Sequence, residues 1–126
     1  MEIKKGLLYT EDHEWVKVDG NVATVGLADY AQHNLGDIVY VELPEIDDEF
    51  SKGDAVASVE SVKAASEVFT AASGKIVEVN EALDDEPALI NEGPYDAWIF
   101  KIEMSDPSEL DDLMDDEKYA EFAKED

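Results

Sequence analysis

The chain contains no cysteine and no arginine. The first absence excludes disulfides, thiol nucleophiles and thiolate metal sites. The second removes the bidentate clamps that hold phosphate groups. All nine basic residues are therefore lysines, set against 33 acids, and the formal net charge is −24. Nucleic-acid binders gather Lys and Arg on one face, so that class of partner is not expected. Long apolar runs are missing too. Nothing is long enough to cross a bilayer, and Met1–Leu8 lacks the sustained apolar core of a secretory signal, so a cytoplasmic protein is expected. Only two histidines occur, His13 and His33, far apart and without cysteine neighbours, which argues against zinc. There is no phosphate-cradling glycine loop, no calcium loop, and no nucleophile with a recognisable base and orienter. The carboxylates are dense enough that acid–base pairs arise by chance.

The 126 residues form a chain long enough for one domain with a real core. Apolar residues reach 44% and recur in strand-like alternation, which separates this chain from acidic disordered tails. The acid excess reads as a surface built for concentrated salt, where the Debye length shrinks to about 3 Å at 1 M. A very acidic protein without a salt requirement is the alternative.

Leu7-Leu8-Tyr9 reads as a first short strand, and Asp19-Gly20 between alternating apolar runs reads as a hairpin turn. Ala28 to Leu35 is helix-friendly and stops at Gly36. Ile38-Val39-Tyr40-Val41 is strand-like, Pro44 to Phe50 an acidic loop, and Asn80 to Asn91 a loop with a helical turn near Pro87. Trp98 to Ile102 is a further strand. Gly36-Asp37, Gly53-Asp54 and Gly74-Lys75 each precede a strand-like run, which suggests stacked strand units or simply glycine marking turns. Trp15 and Trp98 read as core or wall residues. Past Asp106, Leu110, Leu113 and Met114 share one helical face, as do Tyr119, Phe122 and Ala123. The expectation is a mainly β domain over 1–126, with a core of about 7–103 and a helical segment of about 106–124 packing back on the sheets.

Lys63 stands where one strand-like run, Asp54 to Val59, reverses into another, Val68 to Ala71. Ser61, Ala64, Ala65 and Ser66 leave the surface around it uncrowded. An amine on an open turn is a poor packing element and a good handle for acylation. By composition alone an ordinary solvated turn lysine is the stronger reading, since exposed lysines are the norm. Lys52 and Lys75 stand outside the Glu-Ser-Val-Lys-Ala context, and changing them is not expected to affect activity.

Glu60-Ser61-Val62-Lys63-Ala64-Ala65-Ser66-Glu67 resembles the lipoylation site of the glycine cleavage system H proteins. The same family is resembled, in order, by His13-Glu14-Trp15, by Val25 to Gln32, by Leu35 to Pro44, by Gly74 to Asn80, by Leu89-Ile90-Asn91, and by Pro94-Tyr95 with Trp98. Several blocks in the right order are far more specific than one motif. The resemblance implies a lipoyl-domain-like barrel-sandwich hybrid with lipoic acid amide-linked to Lys63. It implies a non-catalytic carrier that takes the aminomethyl group of glycine from a glycine decarboxylase to an aminomethyltransferase. Dihydrolipoyl dehydrogenase would reoxidise it, and a lipoyl-attaching enzyme would modify it. Glu14 and Glu67 match acidic positions of the family pattern and are candidate carboxylates to hold the cationic amine; Asp12 is a weaker one, where the family often has serine. Two departures appear. Only Asp96-Ala97 separates Tyr95 from Trp98, where the family has a longer turn, and Asn34 stands where it often has histidine. A lipoyl relay protein for other complexes is the alternative. A biotinyl carrier domain is disfavoured, because Val62 and Ala64 replace the methionines that flank a biotinylated lysine. A phosphopantetheine carrier would need a helical bundle with Ser108 at a helix start, and the strand content opposes it.

Overall fold

The computed structural model describes residues 2–124; Met1, Glu125 and Asp126 of the domain expected over 1–126 lie outside them. Among the described residues nine strands form two sheets. Strands β1 (Leu8–Tyr9), β2 (Glu14–Asp19), β3 (Val22–Leu27), β9 (Phe100–Met104), β8 (Gly74–Val79) and β5 (Glu49–Phe50) lie side by side in that order. The second sheet is β4 (Ile38–Glu42), β6 (Ala55–Ser61) and β7 (Ala65–Phe69), with β6 central. Both are open sheets with antiparallel neighbours. The mainly β, lipoyl-domain-like architecture expected from the sequence is the one observed.

Alternation explains the core. Val16 faces Val25, which faces Phe100, while Ile102 faces Ile76. All five are essentially inaccessible and meet Val41, Val59 and Val68 of the second sheet in one apolar cluster. Each such side chain contributes roughly 1.5–3 kcal/mol on burial. A second, smaller cluster lies across the larger sheet, where Tyr9 and Trp15 pack with Tyr119 and Ala123 of the C-terminal helix. The Trp15 indole lies over Gly26, its cross-strand partner, where an added Cβ would sit 2.6 Å from the ring. Glycine is required there by close approach, and the indole Nε1 donates to the Pro94 carbonyl at 2.9 Å.

Several elements differ from the sequence reading. The Pro44–Phe50 stretch is not all loop: Glu49 and Phe50 become β5 by pairing with Lys75 and Gly74. Between Asn80 and Asn91 there are two single-turn helices, α2 (Ala82–Asp85) and α3 (Leu89–Glu92), anchored by buried Leu83 and Ile90. The strand expected over Trp98 to Ile102 runs from Phe100 to Met104, beginning where Phe100 pairs with both Val25 of β3 and Val79 of β8. Helix α1 (Asp29–Leu35) ends at Gly36 as read. After a 3-10 turn at Pro107–Leu110, the chain does not continue as helix: Met114 exchanges backbone hydrogen bonds with Tyr9 before α4 (Asp116–Lys124) begins. Tyr119, Phe122 and Ala123 do share the packed face of α4.

Candidate functional site

Lys63 sits in the three-residue connection between β6 and β7, exposed at the tip of the hairpin. Ser61 builds the turn. Its backbone N–H donates to the Ala64 carbonyl at 2.7 Å, and its Oγ accepts from the N–H groups of Lys63 and Ala64 at 3.2 and 3.0 Å. A buried hydroxyl thus satisfies the turn from inside while Lys63 stays exposed. The turn rests on the loop after α1, where Val62 N–H donates to the Asp37 carbonyl at 3.1 Å. Gly36 precedes it with φ +80 and ψ −155, a conformation open only to glycine, and an added Cβ would lie 3.6 Å from the Lys63 Cε.

Asn91 braces that loop. Its amide donates to the Gly36 carbonyl at 2.8 Å and to Gln32 Oε1 at 2.9 Å, and its Oδ1 accepts from Ile38 N–H at 2.8 Å. The Lys63 platform is therefore held by a residue 28 positions away, which no local pattern announces. Beside the turn the surface is apolar: Val62 is 70% exposed, and a bulge in β4 turns both Val39 and Tyr40 outward. Asn34 and His33 are both exposed on α1.

Glu14 lies elsewhere and in different surroundings. It is 2% exposed at the start of β2. One carboxylate oxygen accepts from Thr10 Oγ1 at 3.0 Å, the other from Phe69 N–H at 2.7 Å. Phe69 closes β7, so Glu14 covers the free edge of the strand that begins beside Lys63. Thr10 Oγ1 also accepts from the N–H groups of Asp12 and Glu14, and His13 between them takes φ +65 to complete the tight turn. Burial pushes the Glu14 carboxyl up to about 7, against the two hydrogen bonds that lower it, and the charge of Asp12 adds to the rise.

Glu14 opens onto a cleft of about 500 Å³ whose walls include Asp12, Phe69, Lys52, Asp112 and Met114. Lys52 is anchored on the C-terminal segment. Its Nζ donates to the Glu109 carbonyl at 2.6 Å and to Asp112 Oδ1 at 3.0 Å, tying the β5–β6 loop to the C-terminal segment. That contact holds the Asp112 carboxyl below its ordinary range. Glu67 does not line the cleft. It stands exposed on β7, on the strand face shared by Ala65 and Phe69, while Val68 points into the core. Trp15 is core, and Trp98 is half-buried under the Lys101 ammonium. Among the described residues no three His, Asp or Glu side chains are grouped to hold a metal, and no helix is long and apolar enough to cross a membrane.

Two sheets carrying one exposed lysine at the tip of a small-residue hairpin define a lipoyl-domain-like protein. A model of the glycine cleavage H-protein family matches residues 7–126. The chain is 56% identical over 124 residues to the glycine cleavage system H protein of Alkaliphilus oremlandii, covering 98% of each. It is 53% identical over 126 residues to that of Staphylococcus haemolyticus, covering 99% of this chain and 100% of the relative. The crystal structure of a glycine cleavage system H protein from Mycobacterium marinum matches with a TM-score of 0.86 at 36% identity, over 94% of this chain and 97% of that one. The chain belongs to the glycine cleavage H-protein family.

Proposed function

We propose that this protein is the lipoyl carrier of a glycine cleavage system and that Lys63 is its attachment point. It carries the aminomethyl group of glycine from glycine decarboxylase to aminomethyltransferase and is reoxidised by dihydrolipoyl dehydrogenase, after a lipoyl-attaching enzyme has modified it. It is a non-catalytic, cytoplasmic subunit, folded as one domain over 1–126. The observation that carries the reading is Lys63 itself: an exposed amine on a rigid, uncrowded turn, within a chain that belongs to this family.

The residues present suit a lipoyl group. When bound, it supplies a dithiolane that accepts the one-carbon unit and two electrons. The protein supplies position and shelter. From Ala65 to Phe69 the shared face of β7 runs about 13 Å at roughly 3.3 Å per residue. A lipoyl-lysine side chain of about a dozen bonds near 1.5 Å, zig-zagging, spans a similar length. The Glu14 cleft therefore lies within its reach. A buried carboxyl that titrates near neutrality becomes a strong partner once a cationic amine is brought to it, and the cleft walls keep water away. Glu67, on the path between the two, is the second candidate carboxylate. Exposed Val62, Val39 and Tyr40 form an apolar patch on an otherwise acidic surface, suited to recognition by the enzymes that must reach Lys63. The excess of 24 acids over lysines supports operation in concentrated salt.

The experiment is glycine-dependent reduction of NAD with purified decarboxylase, aminomethyltransferase, tetrahydrofolate and dihydrolipoyl dehydrogenase. Arginine at 63 keeps charge and exposure but is too poor a nucleophile to be acylated. Lys63→Arg protein, folded by circular dichroism, is expected to give no turnover. Turnover at the wild-type rate removes the assignment.

A further inference from the structure

Three of the nine lysines line one small cavity on the outer face of the larger sheet. Strand register fixes two of them. Lys17 on β2 faces Thr24 on β3, which faces Lys101 on β9. With strands about 4.8 Å apart, Lys17 and Lys101 flank Thr24 at roughly 10 Å from one another. Lys4 closes the cavity from the N-terminal segment, and Tyr95 and Trp98 form its apolar wall. Lys101 is pinned: its Nζ sits 4.9 Å from the Trp98 ring centroid and 3.4 Å from Glu78. Lys4 and Lys17 are exposed and pair with no carboxylate among the described residues. Asp96 also reaches the rim.

On a chain with 33 acids this local excess of cations is the exception, and its chemistry selects a ligand. The rest of the surface repels anions, so an acidic partner meets attraction mainly here. The cavity, about 260 Å³, is smaller than the roughly 300–1,000 Å³ typical of small-molecule sites. It suits inserted side chains better than an enclosed ligand. A lysine row about 10 Å long falls between the roughly 7 and 13 Å spacings of side chains on one face of an extended segment, a difference that flexible lysine and carboxylate side chains span. Lysine ammoniums are point charges that accept single carboxylates, without the fork geometry that favours phosphate. A pinned Lys101 loses little freedom on binding. The trough lies on the sheet opposite the Lys63 hairpin, so occupancy leaves the lysine accessible.

We propose that the Lys4–Lys17–Lys101 trough docks an extended, carboxylate-rich segment of a partner protein. The inference is independent of the carrier reading, and it is tested on isotope-labelled full chain titrated with an end-blocked hexaglutamate peptide. The Trp98 indole N–H and the Thr24 and Lys101 amides should shift saturably. Binding should weaken up to about fivefold in Lys17→Gln and further in Lys4→Gln/Lys17→Gln. Lys75→Gln, which removes a lysine from β8, should bind as wild type, and so should Lys63→Arg. Equal weakening in Lys75→Gln, or no weakening in Lys17→Gln, overturns the proposal. Tighter binding of inorganic tripolyphosphate at the same residues would make this a small-anion site instead. Peptide-free dimerisation abolished by Lys17→Gln would make the occupant a second copy of the chain; either result displaces the acidic partner.

Discussion

The two ends of β7 are opposite in kind. At one end Lys63 stands exposed on a turn of small side chains, stabilised by the hydroxyl of its neighbour Ser61. At the other, Phe69 donates to Glu14, a carboxyl almost wholly removed from water and displaced toward neutrality. The first end is built for access and costs the fold little. The second retains a buried ionisable group, which is expensive unless function uses it. A carrier needs both: a handle that several enzymes can reach, and a shelter that none of them enters until the cargo must leave.

The comparison is broken most severely at Glu14. Glu14→Gln removes the charge while keeping shape and an acceptor for Phe69 N–H. The aminomethyl-loaded holoprotein is expected to lose its cargo to water roughly 10- to 100-fold faster, since a charge-assisted contact is worth about 1.5–3 kcal/mol. Release of formaldehyde and ammonia, followed over time, measures it. Glu67→Gln, on the exposed part of the path, should accelerate loss less. Equal lifetimes in wild type and both variants would remove the carboxylate-shelter idea.

The same substitution separates cost from use. The folded Glu14 carboxyl titrates near 7, against an ordinary value of 4.5. Between those values the folded chain holds a proton that the unfolded chain has released. Stability from this group is therefore complete below about pH 4.5 and is lost as pH rises through 7, by about 3 kcal/mol. Denaturant midpoints between pH 4.5 and 8 should show this loss in wild type and lack it in Glu14→Gln, over and above any slope common to both. Parallel curves for the two proteins would contradict it.

A middle-sized effect belongs to the other end. Gly36→Ala forces a backbone that only glycine adopts, at about 1–3 kcal/mol. Because the Asp37 carbonyl supports the Val62 N–H, the Lys63 turn should move with it and lipoyl attachment should slow. Attachment rates measured on protein still folded at the assay temperature test this; an unchanged rate would mean that the turn stands without its platform. The smallest effect is that of Lys52→Met. Its ion pair with Asp112 is largely exposed, so the denaturant midpoint should fall only slightly, and less still in high salt.

Legibility in the sequence follows the same division. The Lys63 turn, the β2–β3 hairpin and helix α1 with its Gly36 stop are written in contiguous residues, and all were readable. What was not readable depends on partners far along the chain. Glu49 and Phe50 become a strand only through β8, and Met114 leaves its helical pattern to pair with Tyr9. Asn91 holds the loop beneath Lys63 across 55 residues, and Glu14 meets Phe69 across the same separation. Glu14 was identifiable as a candidate from the family resemblance, but its burial and its partners were not. The place of Lys52 in the cleft wall was unreadable for the same reason: its partner Asp112 lies 60 positions away.

The central claim is that Lys63, and no other lysine, bears the arm. The direct measurement is intact mass followed by peptide mapping, after incubation of the unmodified chain with a lipoyl-attaching enzyme and lipoate. The account predicts one lipoyl group per chain, on the peptide that contains Lys63, and no mass change in Lys63→Arg. An unmodified wild-type chain, or a lipoyl group mapped to Lys52 or Lys75, would contradict it.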